Sequence, residues 1–152
     1  MPANTAPIYT RTPQCQGSIW TSSLTANADS DGTGTIGTDM VVAFTADATE
    51  GSRVERLRYM PCASVPATAT TATVLRVYIS TVSSGATTRG NTFLFAEVAC
   101  PATTANQTTV AVNPIEIPMG VSLEPGETVL WSMHHAAAAN TSWSCNAFGG
   151  RY

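Results

Sequence analysis

The segment Asn27-Ala28-Asp29-Ser30-Asp31-Gly32 carries residue types that could bind a metal ion. Oxygen-bearing side chains at every second position, followed by glycine, match the first half of a calcium-binding loop. The second half fails, because Thr38 stands where the pattern requires a bidentate glutamate. We therefore interpret Asn27, Asp29 and Asp31 as a polar turn between strands, with calcium binding as the alternative.

Histidines and cysteines are the other side chains that could bind a metal or act as nucleophiles. His134 and His135 are adjacent, so on a regular strand their rings would point to opposite faces and could not share one ion. Four cysteines, at positions 15, 62, 100 and 145, lack the C-x-x-C spacing of zinc and redox sites. We expect reduced thiols and no cofactor. No serine lies in a G-x-S-x-G turn, and the acidic residues lie mainly in turns, where solvation explains them. We therefore also expect no enzymatic activity.

The charge composition argues against nucleic acid and membrane partners. Only 11% of the residues are charged, all seven basic residues are arginines, and the net charge is −3. Binding to a nucleic acid backbone requires clustered basic residues. A membrane helix requires about 18 consecutive apolar residues, and no run in this sequence approaches that length. The one basic cluster, Arg53, Arg56 and Arg58, is interrupted by Glu55, so we interpret it as a solvated or interfacial strand face. In the interfacial case these three arginines are candidate partner-binding residues.

The N-terminal segment differs from the remainder of the chain. Pro2, Pro7 and Pro13 disfavour a helix and favour extended backbone. We predict an extended arm over residues 1–17 and a β-sandwich domain over residues 18–152. The arm is interpreted either as a frayed terminus or as a clamp on a neighbouring subunit. Its candidate contact residues are Pro7, Ile8, Tyr9 and Arg11.

From Ser18 onward, apolar and polar residues alternate with the period of strands rather than of helices. The clearest strand covers residues 73–80, where Leu75, Val77 and Ile79 share one face. The other predicted strands lie near Trp20 and over residues 35–45, 53–60, 93–99, 110–117, 121–123, 128–134 and 141–148. Pro61 is expected to end the strand over residues 53–60, and Pro118 the strand over residues 110–117.

About eight strands without a helix predict an all-β fold in which two antiparallel sheets bury each other's apolar faces. A jelly roll is the first choice of topology, and an immunoglobulin-like sandwich is the alternative that the pattern also allows. Two similar Thr- and Ala-rich loops, residues 66–73 and 101–109, are expected to emerge at one end of the sandwich. Trp131 and Trp143 alternate with apolar residues and are expected to face the core.

Several strand and turn patterns in the C-terminal two-thirds carry a family resemblance. They are Arg53–Arg58, Ala72–Ile79, Ile115–Pro118, Leu123–Glu127 and Trp143–Tyr152. This stretch resembles small bacteriophage structural proteins that attach to capsids as decoration or cement proteins. The resemblance implies an all-β fold, a non-catalytic role in particle assembly or stability, and trimers at local symmetry axes. Residues 1–53 lie outside it.

The leading hypothesis is therefore a virion protein that binds the major capsid protein, or other virion proteins, as a homo-oligomer. The first residues lack the charged and apolar regions of a secretory signal, which predicts synthesis in the host cytoplasm. A tail, baseplate or fibre component is one alternative. A carbohydrate- or surface-binding module is another, which exposed coplanar tryptophans would favour.

Overall fold

The structure is a computed structural model that describes residues 10–63, 68–104 and 114–152. Within these ranges the chain forms ten strands and no helix, as the alternating pattern predicts. The strands are β1 Thr12–Thr21, β2 Gly34–Thr35, β3 Val41–Thr45, β4 Ser52–Ala63, β5 Thr73–Ser80, β6 Ala86–Thr87, β7 Thr92–Cys100, β8 Ile115–Leu123, β9 Thr128–Met133 and β10 Thr141–Arg151.

The long strands form two four-stranded sheets. The first sheet has the order β1-β10-β4-β8, and the second has the order β3-β9-β5-β7. All pairings within them are antiparallel. Counted along the chain, the first long strand pairs with the last, the second with the seventh, the third with the sixth, and the fourth with the fifth. This nested order is that of a jelly roll, so the predicted sandwich is confirmed and its topology is the first of the two alternatives.

Aromatic side chains fill the space between the sheets. Trp131 of the second sheet lies with its ring centroid 5.7 Å from Trp20 and 5.1 Å from Tyr59, both of the first sheet. The indole N–H of Trp131 donates to Ser18 Oγ at 3.0 Å. Without this bond, burial would leave the indole N–H without a hydrogen-bond partner. Trp143 is 2% exposed. The predicted inward orientation of Trp131 and Trp143 is therefore confirmed.

Two prolines expected to end strands instead lie within them. Pro118 sits in β8, an edge strand, where a missing N–H removes no ladder hydrogen bond if it faces away from the sheet. Pro61 pairs with Trp143 of β10 but lies beyond Tyr59–Ile115, the last β4–β8 pair. In the described part of the chain β4 is thus an edge at Pro61. Both exceptions have one cause, because a proline is tolerated in a strand where its missing N–H would face no neighbouring strand.

The first sheet begins inside the segment predicted to be an arm. β1 pairs with β10 from Thr12–Arg151 to Thr21–Ser142, so residues 12–17 are extended but belong to the sandwich. Their inward side chains are polar, with Gln14 and Gln16 on the half-buried face, and this is why the apolar alternation did not reveal the strand. Residues 1–9, including Pro7, Ile8 and Tyr9, lie outside the described residues.

The two similar loops meet in space, as expected. Thr70 N donates to Thr103 O at 2.8 Å, and Thr103 N donates to Thr70 Oγ1 at 3.0 Å. An isolated antiparallel bridge joins Ala69 to Thr104 beside them. These contacts tie the β4–β5 connection to the β7–β8 connection at one end of the sandwich.

Candidate functional site

The four edge strands are the places where this sandwich can accept another strand. β1 and β8 border the first sheet, and β3 and β7 border the second. β1 lies beside β3, so β8 and β7 mark the opposite side. We call these the β1–β3 side and the β7–β8 side. Unpaired backbone groups at an edge template association with another chain unless they are protected.

A glutamine closes the β1–β3 side. Gln16 Nε2 donates to Thr45 O at 2.9 Å, and Thr45 N donates to Gln16 Oε1 at 2.9 Å. The N–H and C=O of one residue in a strand point the same way, so the Gln16 carboxamide takes the place of a ladder partner at the β3 edge. This part of β3 is therefore not available to a further strand.

The β7–β8 side carries three consecutive exposed apolar residues on β7. Phe93 is 55% exposed, Leu94 42% and Phe95 37%. A regular strand would turn alternate side chains inward, but the β5–β7 register shifts between Val77–Ala96 and Tyr78–Leu94. Phe95 is thus an extra residue, and a bulge of this kind redirects the side chains around it.

β7 differs from β1 and β8 in how its edge is protected, because it has the bulge at Phe95 and the acidic Glu97 but no proline. β1 contains Pro13, and β8 contains Pro118 and, with a positive φ of 60°, Gly120. Proline and sharp backbone changes blunt an edge against strand addition. The sequence of β7, TFLFAEVAC, contains no proline, glycine or basic residue. Among the edge strands in the described part of the chain, β7 therefore combines exposed apolar side chains with a sequence free of proline, glycine and basic residues.

A buried arginine holds β7 in place. Arg76 of β5 is 7% exposed, and its Nε donates to Glu97 Oε1 of β7 at 2.6 Å. Its Nη1 donates to the backbone carbonyls of Asn27 at 3.1 Å and Ala28 at 3.3 Å. The Tyr78 hydroxyl donates to Asp29 O at 3.1 Å. These bonds pack residues 27–29 onto the outer face of the second sheet and fix the edge strand to it.

Sequence reasoning missed both Gln16 and Arg76 as organising residues. Arg76 had a visible signal, since an arginine in the centre of a strand flanked by apolar residues must find buried acceptors. Gln16 had none, because a polar residue in a Pro- and Thr-rich segment gives no indication of a distant backbone partner.

The calcium candidates form a polar turn. Asn27 Oδ1 accepts from Asp29 N at 2.9 Å, and its Nδ2 donates to Thr33 O at 3.1 Å. The Thr33 N–H and, less strongly, the Arg89 guanidinium lower the pKa of Asp31. Across the described residues, no group of three His, Cys, Asp or Glu side chains is arranged to hold a metal ion.

The predicted contact arginines lie on the first sheet or beside it. Arg11 pairs with Glu50 at 3.1 Å, and Arg53 pairs with Glu55 at 2.6 Å. Arg58 lies 4.0 Å from a Glu116 carboxylate oxygen. Arg56 instead stacks its guanidinium over the Phe148 ring, 4.7 Å from the centroid. Arg53, Arg56 and Arg58 all lie on β4, and none of the four predicted contact arginines lies on β7.

The histidine pair departs from the expected geometry. β9 ends at Met133, so His134 and His135 follow the strand rather than continue it. Their ring centroids are 4.7 Å apart, with the planes at 78°. The expectation of opposite faces was wrong, because strand alternation does not apply beyond the strand end.

Comparisons with protein-family models, curated proteins and solved structures found no match. In the part of the chain that the structure describes, no helix could span a membrane.

Proposed function

We propose that the protein is a non-catalytic structural component of a bacteriophage particle, which binds the assembled capsid through β7 and stabilises it. The observation that carries the proposal is the run of Phe93, Leu94 and Phe95, exposed on an edge strand that contains no proline or basic residue. The major capsid protein is the proposed partner, and the placement on a virion rests on the resemblance of residues 54–152 to decoration and cement proteins.

The proposed mechanism is strand addition. A partner strand alongside β7 would bond to its outer backbone groups, and its side chains would cover the three apolar residues. Complete burial of a Phe or Leu side chain contributes about 1.5–3 kcal/mol. Because these three side chains are roughly half exposed, each would contribute about 1 kcal/mol per copy. Many weak contacts repeated over a symmetric shell would stabilise the assembled state over the free subunits.

The proposal retains a homo-oligomer, with a trimer favoured, synthesised in the host cytoplasm and resident on the virion. A tail, baseplate or fibre position would use the same edge. The carbohydrate-binding alternative is not retained, because Trp20 and Trp131 are 0% exposed and Trp143 is 2% exposed. Flat stacking on sugar rings requires exposed indoles, and these three fill the core.

The N-terminal arm remains part of the proposal, but it ends before β1 rather than at residue 17. Because β1 begins at Thr12, deleting residues 1–17 would remove part of the first sheet. Deleting residues 2–9 leaves every β1–β10 pair in place. We expect this shorter deletion to lower particle occupancy without changing the unfolding midpoint, as measured by thermal melting and by quantifying the bound protein. Unchanged occupancy would contradict the clamp.

Mass spectrometry of purified particles from the phage that encodes this chain tests the proposal. We expect the chain in wild-type particles and at least tenfold less of it when Leu94→Lys replaces the wild type, because a lysine blocks strand addition at an edge. Ile19→Lys is the matched control, since Ile19 is 52% exposed on the β1 edge. Absence of the wild-type chain would contradict virion residence, and equal loss in both variants would contradict the role of β7.

A further inference from the structure

An open cleft of 550 Å³ lies on the first sheet, whereas β7 belongs to the second. This volume falls within the range of about 300–1,000 Å³ that small-molecule sites occupy. The cleft is lined by Pro13, Gln14, Cys15, Glu55, Arg56, Phe148 and Gly149.

A bulge in β4 shapes this cleft. Val54 pairs with Gly149 and Arg56 pairs with Phe148, so Glu55 is an extra residue on β4. The bulge lets Val54 and Leu57, which are three positions apart, both face the core at 0% exposure. As a result Glu55 and Arg56, although adjacent in sequence, are both exposed. Redirecting a side chain in this way is a recognised function of bulges.

Phe148 positions the Arg56 guanidinium in the cleft. Strand pairing aligns Cys15, Phe148 and Arg56 in one row across β1, β10 and β4. The guanidinium carbon of Arg56 lies 4.7 Å from the centre of the Phe148 ring. The N–H donors of a guanidinium lie in its plane and point outward, so a cation held over a ring face can still present some of them to a ligand.

Arg56 is the one arginine without a carboxylate partner. All seven arginines and all ten acidic residues lie within the described ranges. Six of the arginines have a carboxylate oxygen within 4.0 Å. The reason is local: Arg53 holds Glu55 at 2.6 Å, and the cross-strand neighbours of Arg56 are Phe148 and Pro118. An uncompensated positive charge therefore faces this largely apolar cleft.

We propose that this cleft binds a small organic monocarboxylate. The two carboxylate oxygens would accept bidentate hydrogen bonds from the Arg56 guanidinium. The apolar body of the ligand would lie against Phe148 and Pro13. Glu55 at the rim disfavours a second negative charge, so a singly charged carboxylate suits the cleft better than a phosphate dianion does. This site does not depend on the particle-binding role of β7.

Titration of the isolated protein with benzoate, followed by calorimetry or NMR, tests the proposal. We expect saturable benzoate binding and at least tenfold weaker binding of benzamide, its neutral analogue, because a charged hydrogen bond contributes about 1.5–3 kcal/mol. Arg56→Gln should weaken benzoate binding at least tenfold. Arg58→Gln is the matched control, since Arg58 is two residues away and already faces Glu116, and it should change binding less than twofold.

Cys15 supplies a second readout inside the cleft, because its thiol is exposed there. We expect benzoate to slow iodoacetamide alkylation of Cys15 but not of the half-buried Cys62. Burial raises the pKa of Cys100 to about 11 and of Cys145 to about 12, so neither thiol should compete for the reagent near neutral pH. Absence of saturable binding, equal binding by Arg56→Gln, or equal alkylation of Cys15 with and without benzoate would overturn the proposal.

Discussion

The β1–β3 side and the β7–β8 side of the sandwich both end in strand edges, but they treat those edges differently. On the first, the Gln16 carboxamide bonds to both backbone groups of Thr45. On the second, β7 presents Phe93, Leu94 and Phe95 and carries no protecting proline or basic residue. One fold thus contains an edge that is closed by its own side chain and an edge that exposes three apolar side chains. This difference is what motivates the proposal that a partner strand adds to β7.

Each side also has an arginine–carboxylate pair, and removing the two arginines should have very different effects. Arg76→Met leaves Glu97 and the carbonyls of residues 27 and 28 without their donor, beneath the covering loop. Glu97 is 44% exposed and can be solvated, so the cost comes mainly from the two carbonyls, and we expect a loss of about 2 kcal/mol in the free energy of unfolding. Arg11→Met breaks an exposed pair with Glu50 and should cost less than about 1 kcal/mol. Chemical denaturation of both variants checks this, and equal losses would refute the anchoring role of Arg76.

Gln16→Ala should open the closed edge. Two hydrogen bonds to Thr45 are lost, and at about 0.5–1.5 kcal/mol each the expected destabilisation is about 1–3 kcal/mol. Gln14→Ala is the control, because Gln14 lies on the same half-buried face of β1. Urea unfolding measures the cost, and light scattering should show more self-association for Gln16→Ala. If the two variants behave alike, Gln16 does not close the edge.

The smallest expected effect concerns the acid sensitivity of the β1–β3 side. The backbone N–H groups of Glu50 and Thr49, and then Arg151, lower the pKa of Asp47 below its ordinary value of 3.8. A carboxyl group with a lowered folded-state pKa stabilises the fold above its unfolded-state pKa, and this contribution disappears as the pH falls through the folded value. We therefore expect a loss of stability below about pH 4. In Asp47→Asn this component should be absent from melting curves recorded between pH 2 and 7, and an unchanged acid slope would contradict the assignment.

The alternating pattern predicted the sheet-forming strands well because core packing imposes it. The strand over residues 73–80 was predicted with its observed bounds, and its inward residues Leu75 and Val77 are fully buried. The pattern failed where edges relax the usual rules. Pro61 and Pro118 were read as strand ends, although an edge tolerates proline. Residues 12–17 of β1 were read as part of an arm, because polar side chains cover their inner face, whereas the strand was predicted correctly near Trp20.

The candidate surfaces were less predictable than the fold. Exposure of Phe93 depends on β7 being an edge strand, and exposure of Phe95 depends on a bulge. Neither follows from local sequence, since the same residues in a central strand would be core. Arg56 was selected as a contact residue, but its unpaired state arises from cross-strand neighbours far away in sequence. Pairing between distant strands is the information that composition and spacing lack.

Hydrogen–deuterium exchange of the particle-bound protein against the free protein tests the central claim most directly. If a partner strand adds to β7, the amides of residues 92–100 should exchange at least tenfold more slowly on the particle. The amides of β3, already closed by Gln16, should exchange at the same rate in both states. Unchanged exchange in β7, or protection confined to β3, would contradict the account.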